Sequence, residues 1–99
     1  MNYGVKNIIN ERGNSAANQF IIKTDKAVYF QSYNSVVCKL DGVNIVLSSY
    51  WDYSKTTLKH LYIFLRQHGY YTLCSTKEMR KAIKDGRVIE LGVSSLKID

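Results

Sequence analysis

Proline is absent from the 99 residues, and only two cysteines and six glycines occur. Without proline there is no rigid linker and none of the usual punctuation between domains. Cys38 and Cys74 stand far apart, which excludes the paired spacings of zinc and redox motifs. The glycines form no phosphate-cradling loop, and no Ser/His/Asp or paired-carboxylate arrangement is visible, so no catalytic residue is assigned. His60 and His68 have no carboxylate or cysteine at ligand spacing, and no metal or other cofactor is expected. No apolar run approaches the roughly 20 residues of a membrane-spanning helix. The start, Met1 to Lys6, lacks the apolar stretch of a signal peptide. These absences favour a cytosolic, non-enzymatic protein with no membrane partner.

Acidic residues are scarce in one third of the chain. Between Lys55 and Arg87, eight basic residues (Lys55, Lys59, Arg66, Lys77, Arg80, Lys81, Lys84 and Arg87) face only Glu78 and Asp85. That imbalance accounts for the whole net charge of +6, because basic and acidic residues cancel elsewhere. A surface polarised in this way attracts polyanions or acidic protein faces.

At 45% hydrophobic and 12% aromatic residues, the chain reads as one folded domain over 1–99. Residues 1–18 read as a loosely ordered lead-in with a short edge strand around Val5–Ile9, and 92–99 as a polar tail. Strands are expected at Gln19–Lys23, Ala27–Tyr33, Ser35–Leu40 and Val43–Ser48. Asp41-Gly42 signals a two-residue hairpin turn. That turn would pair Leu40 with Val43, Cys38 with Ile45 and Val36 with Leu47, all on one face. Ser54 then caps a helix from Lys55 to His68, stopped by Gly69. Leu58, Leu61, Tyr62 and Leu65 form its apolar stripe, with Phe64 and His68 beside them. Tyr70–Cys74 reads as a short strand or an extended connection. Ser75 and Glu78 have capping-box spacing ahead of a short helix to about Lys84, with Met79, Ala82 and Ile83 as its buried edge. Arg87–Leu91 reads as a last strand. The expected fold is α+β: an antiparallel sheet of about four to five strands, with one long and one short helix packed on one face.

At 100° per residue, Lys55, Lys59 and Arg66 form a stripe on the flank of the long helix's apolar face, with Tyr62 at its border. Lys77, Lys81 and Lys84 follow i, i+4, i+7 on the short helix, and Arg80 extends that surface; Arg87, at the start of the last strand, is a further candidate binding residue. Such stripes suit phosphate backbones, and neighbouring Tyr70 and Tyr71 suit base stacking. Lysines on a helix face are also ordinary soluble surface, and they suit an acidic protein equally well.

Tyr29, Gln31 and Tyr33 alternate along one strand and would share a face, either stacking bases or packing within the fold. Trp51-Asp52-Tyr53-Ser54 is the densest aromatic-polar cluster. Asp52 and Ser54 can serve the free amides of the helix start, with Trp51 as an apolar plug beneath. The other reading makes Tyr50, Trp51 and Tyr53 a binding hot spot.

Three stretches together resemble a known group: Asn18-Gln19-Phe20-Ile21-Ile22-Lys23-Thr24, Phe30-Gln31-Ser32-Tyr33-Asn34-Ser35, and Trp51-Asp52-Tyr53-Ser54-Lys55-Thr56-Thr57. They look like a family of small uncharacterised proteins of phages and mobile elements in low-GC Gram-positive bacteria. The likeness covers roughly residues 13–66. It implies an origin, and with it a protein that blocks a host nucleoprotein machine in the bacterial cytosol. In size and in lacking a catalytic constellation the chain is similar to anti-CRISPR proteins, which act on CRISPR effector nucleases. The basic charge departs from acidic DNA mimics and implies a grip on guide RNA or an acidic protein face. The alternative is a direct DNA- or RNA-binding protein that uses the same basic helices.

Overall fold

The computed structural model describes residues 4–10 and 12–98. Residues 1–3 and 11 of the expected lead-in, and Asp99 of the expected tail, lie outside the described residues. In chain order come β1 (Gly4–Ile9), β2 (Ser15–Lys23), β3 (Val28–Ser32), β4 (Ser35–Leu40) and β5 (Ile45–Leu47). Helix α1 (Lys55–Gln67), a single 3-10 turn (Tyr71–Leu73), helix α2 (Thr76–Lys84) and β6 (Val88–Glu90) follow.

The six strands lie side by side in sequence order. The first five are joined by hairpins and pair antiparallel, while β6 pairs parallel to β5. The expected purely antiparallel sheet of four to five strands is therefore a mixed sheet of six. The reason is the connection: both helices lie between β5 and β6, so the chain returns running the same way. Strand β1 falls where the edge strand around Val5–Ile9 was expected, and β2 includes the expected strand Gln19–Lys23 but starts at Ser15, inside the segment expected to be loose. Within Tyr70–Cys74, expected as a short strand or an extended connection, Tyr71–Leu73 form a 3-10 turn.

Both helices cover one face of the sheet. Phe30, Cys38, Leu40, Ile45 and Leu47 meet Leu61, Phe64, Leu65, Met79 and Ala82 in the main core. Phe30 and Phe64 stack with ring centroids 5.7 Å apart. Burying Leu61, Phe64 and Leu65 contributes on the order of 5–9 kcal/mol before entropy is counted. Leu58 and Tyr62 are only partly buried, whereas Thr57, His60 and Ile63 are inside. The buried face of α1 is thus rotated by roughly one residue, about 100°, from the expected stripe.

The other face has a smaller core of Ile22, Ala27, Tyr29 and Val36, closed by Leu96. The segment expected as a polar tail crosses this face as a strap. The Leu96 N–H donates to the Val36 carbonyl (2.9 Å), and the Val36 N–H donates to Ser95 Oγ (2.9 Å). Tyr29 is fully buried beneath it, so Tyr29, Gln31 and Tyr33 form no exposed row. Tyr33 leaves β3 altogether and, with Asn34, makes the turn into β4.

The β4–β5 hairpin forms, but with a four-residue loop, 41–44. Cys38 pairs with Leu47 and Leu40 with Ile45. The Asp41 carboxylate accepts from the N–H groups of Val43 (2.9 Å) and Asn44 (2.7 Å), which favours the wider loop over a two-residue turn. Gly42 takes a positive φ of 91° there. A bulge at Val37 sends Val36 to the strap side while Val37 and Cys38 both face the helices. Among the described residues, no helix is long and apolar enough to cross a membrane.

Candidate functional site

Helix α1 starts where Ser54 Oγ accepts the Thr57 N–H (3.1 Å) and stops at Gly69, whose φ is +88°. Within it, Lys55, Lys59 and Arg66 are exposed and stand opposite the buried residues, not on their flank as expected. Helix α2 starts where Ser75 Oγ accepts the Glu78 N–H (3.1 Å). Its buried residues are Met79 and Ala82, and helical spacing puts Lys77, Lys81 and Lys84 on the opposite, exposed side.

Two contacts hold α2 against α1 and its leading segment. Tyr62 Oη and Thr76 Oγ1 are hydrogen bonded at 3.0 Å. Desolvation by partial burial raises the Tyr62 phenol above its ordinary range, so it stays neutral. The second contact is the ion pair of Arg80 with Asp52. The Arg80 guanidinium also sits 5.3 Å from the Trp51 ring centroid, and the Trp51 indole N–H donates to the Glu90 carboxylate. Trp51 is buried as the expected plug, whereas Asp52 serves Arg80 rather than the helix amides.

The basic residues therefore divide. Arg80 is balanced by Asp52, and Arg87 by Asp85 at 3.2 Å. Among the described residues, Lys55, Lys59, Lys77, Lys81 and Lys84 have no ion-pair partner. Arg66 is exposed beside a shallow hollow with Ile9 and Gln67. Tyr70 is half-buried against the core, and only Tyr71, 71% exposed, offers an open ring. The two tyrosines do not act as a pair.

A second feature includes two members of the alternative hot spot, Tyr50 and Tyr53, but sequence reasoning missed the hollow they share with Tyr33 and Asn34. Tyr50 and Tyr53 stack at 4.9 Å with 20° between their rings, and both are exposed. Together with Tyr33 and Asn34 they border a hollow of about 230 Å³. Ser32 Oγ and Thr57 Oγ1, both in its lining, are hydrogen bonded at 3.0 Å, and Ser54 Oγ, outside the lining, donates to Thr57 Oγ1 at 3.1 Å. The available signal was Tyr33-Asn34 between two serines, a polar break in a β-branched and aromatic run.

His60 and His68 each place Nδ1 2.8 Å from the carbonyl four residues earlier, Thr56 and Phe64. No group of three or more metal-binding side chains occurs among the described residues. Burial pushes the Cys38 thiol far up, so it stays protonated and inert.

A family model described as "Family of unknown function (DUF8033)" matches residues 3–86, and the chain belongs to that family. The matched span includes both helices and ends before β6. No curated protein and no solved structure matches the chain.

Proposed function

We propose that this member of a family of unknown function is a non-enzymatic binding protein of a phage or mobile element. It lays its two lysine-bearing helices on a host nucleoprotein machine in the bacterial cytosol and blocks it, a CRISPR effector nuclease being one such machine. The observation that carries the reading is the division of charge: among the described residues, the arginines at 80 and 87 are balanced by carboxylates and the five lysines are not. Unbalanced lysines on two adjoining helices raise the local potential, which speeds encounter with a phosphate backbone or an acidic protein face. Guide RNA would supply the first of these and the effector protein the second. The test is reversal of Lys77, Lys81 and Lys84 to glutamate, read as inhibition of purified effector nucleases. Inhibition by the parent chain that disappears in a well-folded variant supports the reading. Inhibition that survives the reversal removes it.

A second reading, direct binding of free nucleic acid, is favoured by the exposed Tyr50–Tyr53 stack, two residues before Lys55 in sequence. Five lysine–phosphate contacts on a single strand give a salt slope near −3.5, so affinity should fall about 100-fold between ~50 and ~200 mM salt. Fluorescence anisotropy with short single-stranded DNA, single-stranded RNA and duplex DNA measures this directly. Absence of binding at the lower salt points the lysines at a protein-bound partner.

A further inference from the structure

We infer that the hollow between the Tyr33-Asn34 turn and the Tyr50–Tyr53 stack receives one unpaired base of a single-stranded nucleic acid, with the adjoining phosphates held by Lys55 and Lys59. The inference rests on the direct nucleic-acid reading and names the part of the molecule that would contact the base.

Three of the four exposed tyrosines among the described residues (Tyr33, Tyr50 and Tyr53) surround this single hollow. Tyrosines scattered over a surface need no explanation, but three rings converging on one cavity present an aromatic surface that water serves poorly. Tyr50 and Tyr53 already lie nearly parallel, so a third planar ring can extend their stack. At about 230 Å³ the hollow has room for one heterocycle, and a duplex would not enter.

The chemistry of the lining is as selective as its shape. None of the lining residues is charged, and the polar ones offer hydroxyls and one side-chain amide. Such groups pair with the neutral edge of a base and do not neutralise a phosphate. The nearest positive charge in sequence is Lys55, two residues beyond Tyr53 at the first turn of α1, and Lys59 follows one turn later. Lys55 and Lys59 each lie about 200° around α1 from Thr57, the helix residue that lines the hollow, so a strand with a base in the hollow would pass round the start of the helix to reach them.

The backbone supports the same assignment. Tyr33 has φ of +54°, a conformation that asparagine or glycine adopts more easily than a bulky aromatic residue. Both its backbone groups are held: its N–H donates to the Asn18 carbonyl, and its carbonyl accepts from Gln31 Nε2, each at 2.7 Å. A strained aromatic residue fixed at the rim of a cavity is the pattern of a side chain retained for contact.

The test compares fluorescence-labelled single-stranded oligonucleotides with abasic strands of equal length and phosphate count. The parent chain is expected to prefer base-bearing strands by roughly 10-fold, the value of one aromatic stacking contact. Tyr53→Ala and Tyr33→Asn should each remove most of that preference and leave the salt slope unchanged. Lys55→Gln should lower the slope by about 0.7 and leave the preference intact. Salt-dependent binding without discrimination between the strands, or discrimination that survives both tyrosine variants, overturns the hollow as a base site while direct nucleic-acid binding stands. No binding to any strand at ~50 mM salt overturns both. Tyr53 is 73% exposed, so its truncation leaves the core intact and the variant is readable.

Discussion

The backbone N–H of Tyr33 donates to the carbonyl of Asn18 at 2.7 Å, and these are the two non-glycine residues with positive φ among the described residues. Asn18 lies in β2 next to Gln19, whose partner across the sheet is Ser32. The bond thus ties a kink in one strand to the turn that ends the next. Asparagine occupies the left-handed region at lower cost than tyrosine. Tyr33→Asn should therefore raise stability by about 0.5–1 kcal/mol, and Asn18→Val should lower it by about 1–2 kcal/mol. Urea unfolding midpoints give both values. A stabilised Tyr33→Asn that also loses ligand would show that the ring is kept at the expense of the fold.

Asp52 and Lys81 should shift polyanion binding in opposite directions. Asp52→Asn releases Arg80 from its ion pair, so the salt slope for a single-stranded ligand should steepen by up to about 0.7. Its stability cost is about 1 kcal/mol or less, because the Arg80 side chain is 62% exposed and water screens the pair. Lys81→Gln should leave stability within about 0.5 kcal/mol and flatten the slope by about 0.7. Salt titrations of the two variants side by side check the division of the basic residues.

Gln19 is fully buried, and neither of its side-chain amide atoms has a hydrogen-bond partner. Burying an unbonded amide is unfavourable, and methionine has nearly the same length without that cost. Gln19→Met is expected to stabilise the fold by about 1–2 kcal/mol. Destabilisation of the same size in chemical denaturation would mean that the amide is bonded in solution.

Asp41 gives the hairpin loop an acid limit. Its two backbone hydrogen bonds hold the carboxyl below the ordinary value of 3.8. A folded-state value lower than the unfolded one means that the stabilisation is fully present above the unfolded value. It is lost as pH falls through the folded value. Asp41→Asn keeps an oxygen acceptor without a titrating proton. The stability advantage of the parent chain over this variant should therefore shrink steadily below about pH 4, as read from denaturation midpoints.

Helix ends were legible because capping is settled within a few residues: Ser54 with Thr57, and Ser75 with Glu78. The β4–β5 hairpin was legible in its faces but not in its pairing. The true register is displaced by two positions, and a displacement of two preserves alternation, so Cys38, Leu40, Ile45 and Leu47 stay on the core side. Only Val36, turned by the bulge, and Val43, 89% exposed in the loop, left the expected face. Strand β6 has one buried residue of three, too little pattern to reveal a parallel partner. In the candidate site, the density of charge was legible and its balance was not. Asp52 lies 28 positions from Arg80, and local spacing carries no sign of that pair. The tyrosine hollow likewise joins two loops that only the folded sheet brings together.

The sheet's order in space is also the order in which a ribosome would release it. Each strand from β2 to β5 finds its partner in the strand made just before, so the meander can close piece by piece during synthesis. Strand β6 must wait for both helices, because the strand it pairs with, β5, left some forty residues earlier. The lysine helices therefore take their final place late, on a sheet already largely paired. Until then the growing chain exposes Phe30, Cys38 and Leu47 to its surroundings. A chain stalled before β6 is expected to be the species most open to proteolysis and to chaperones.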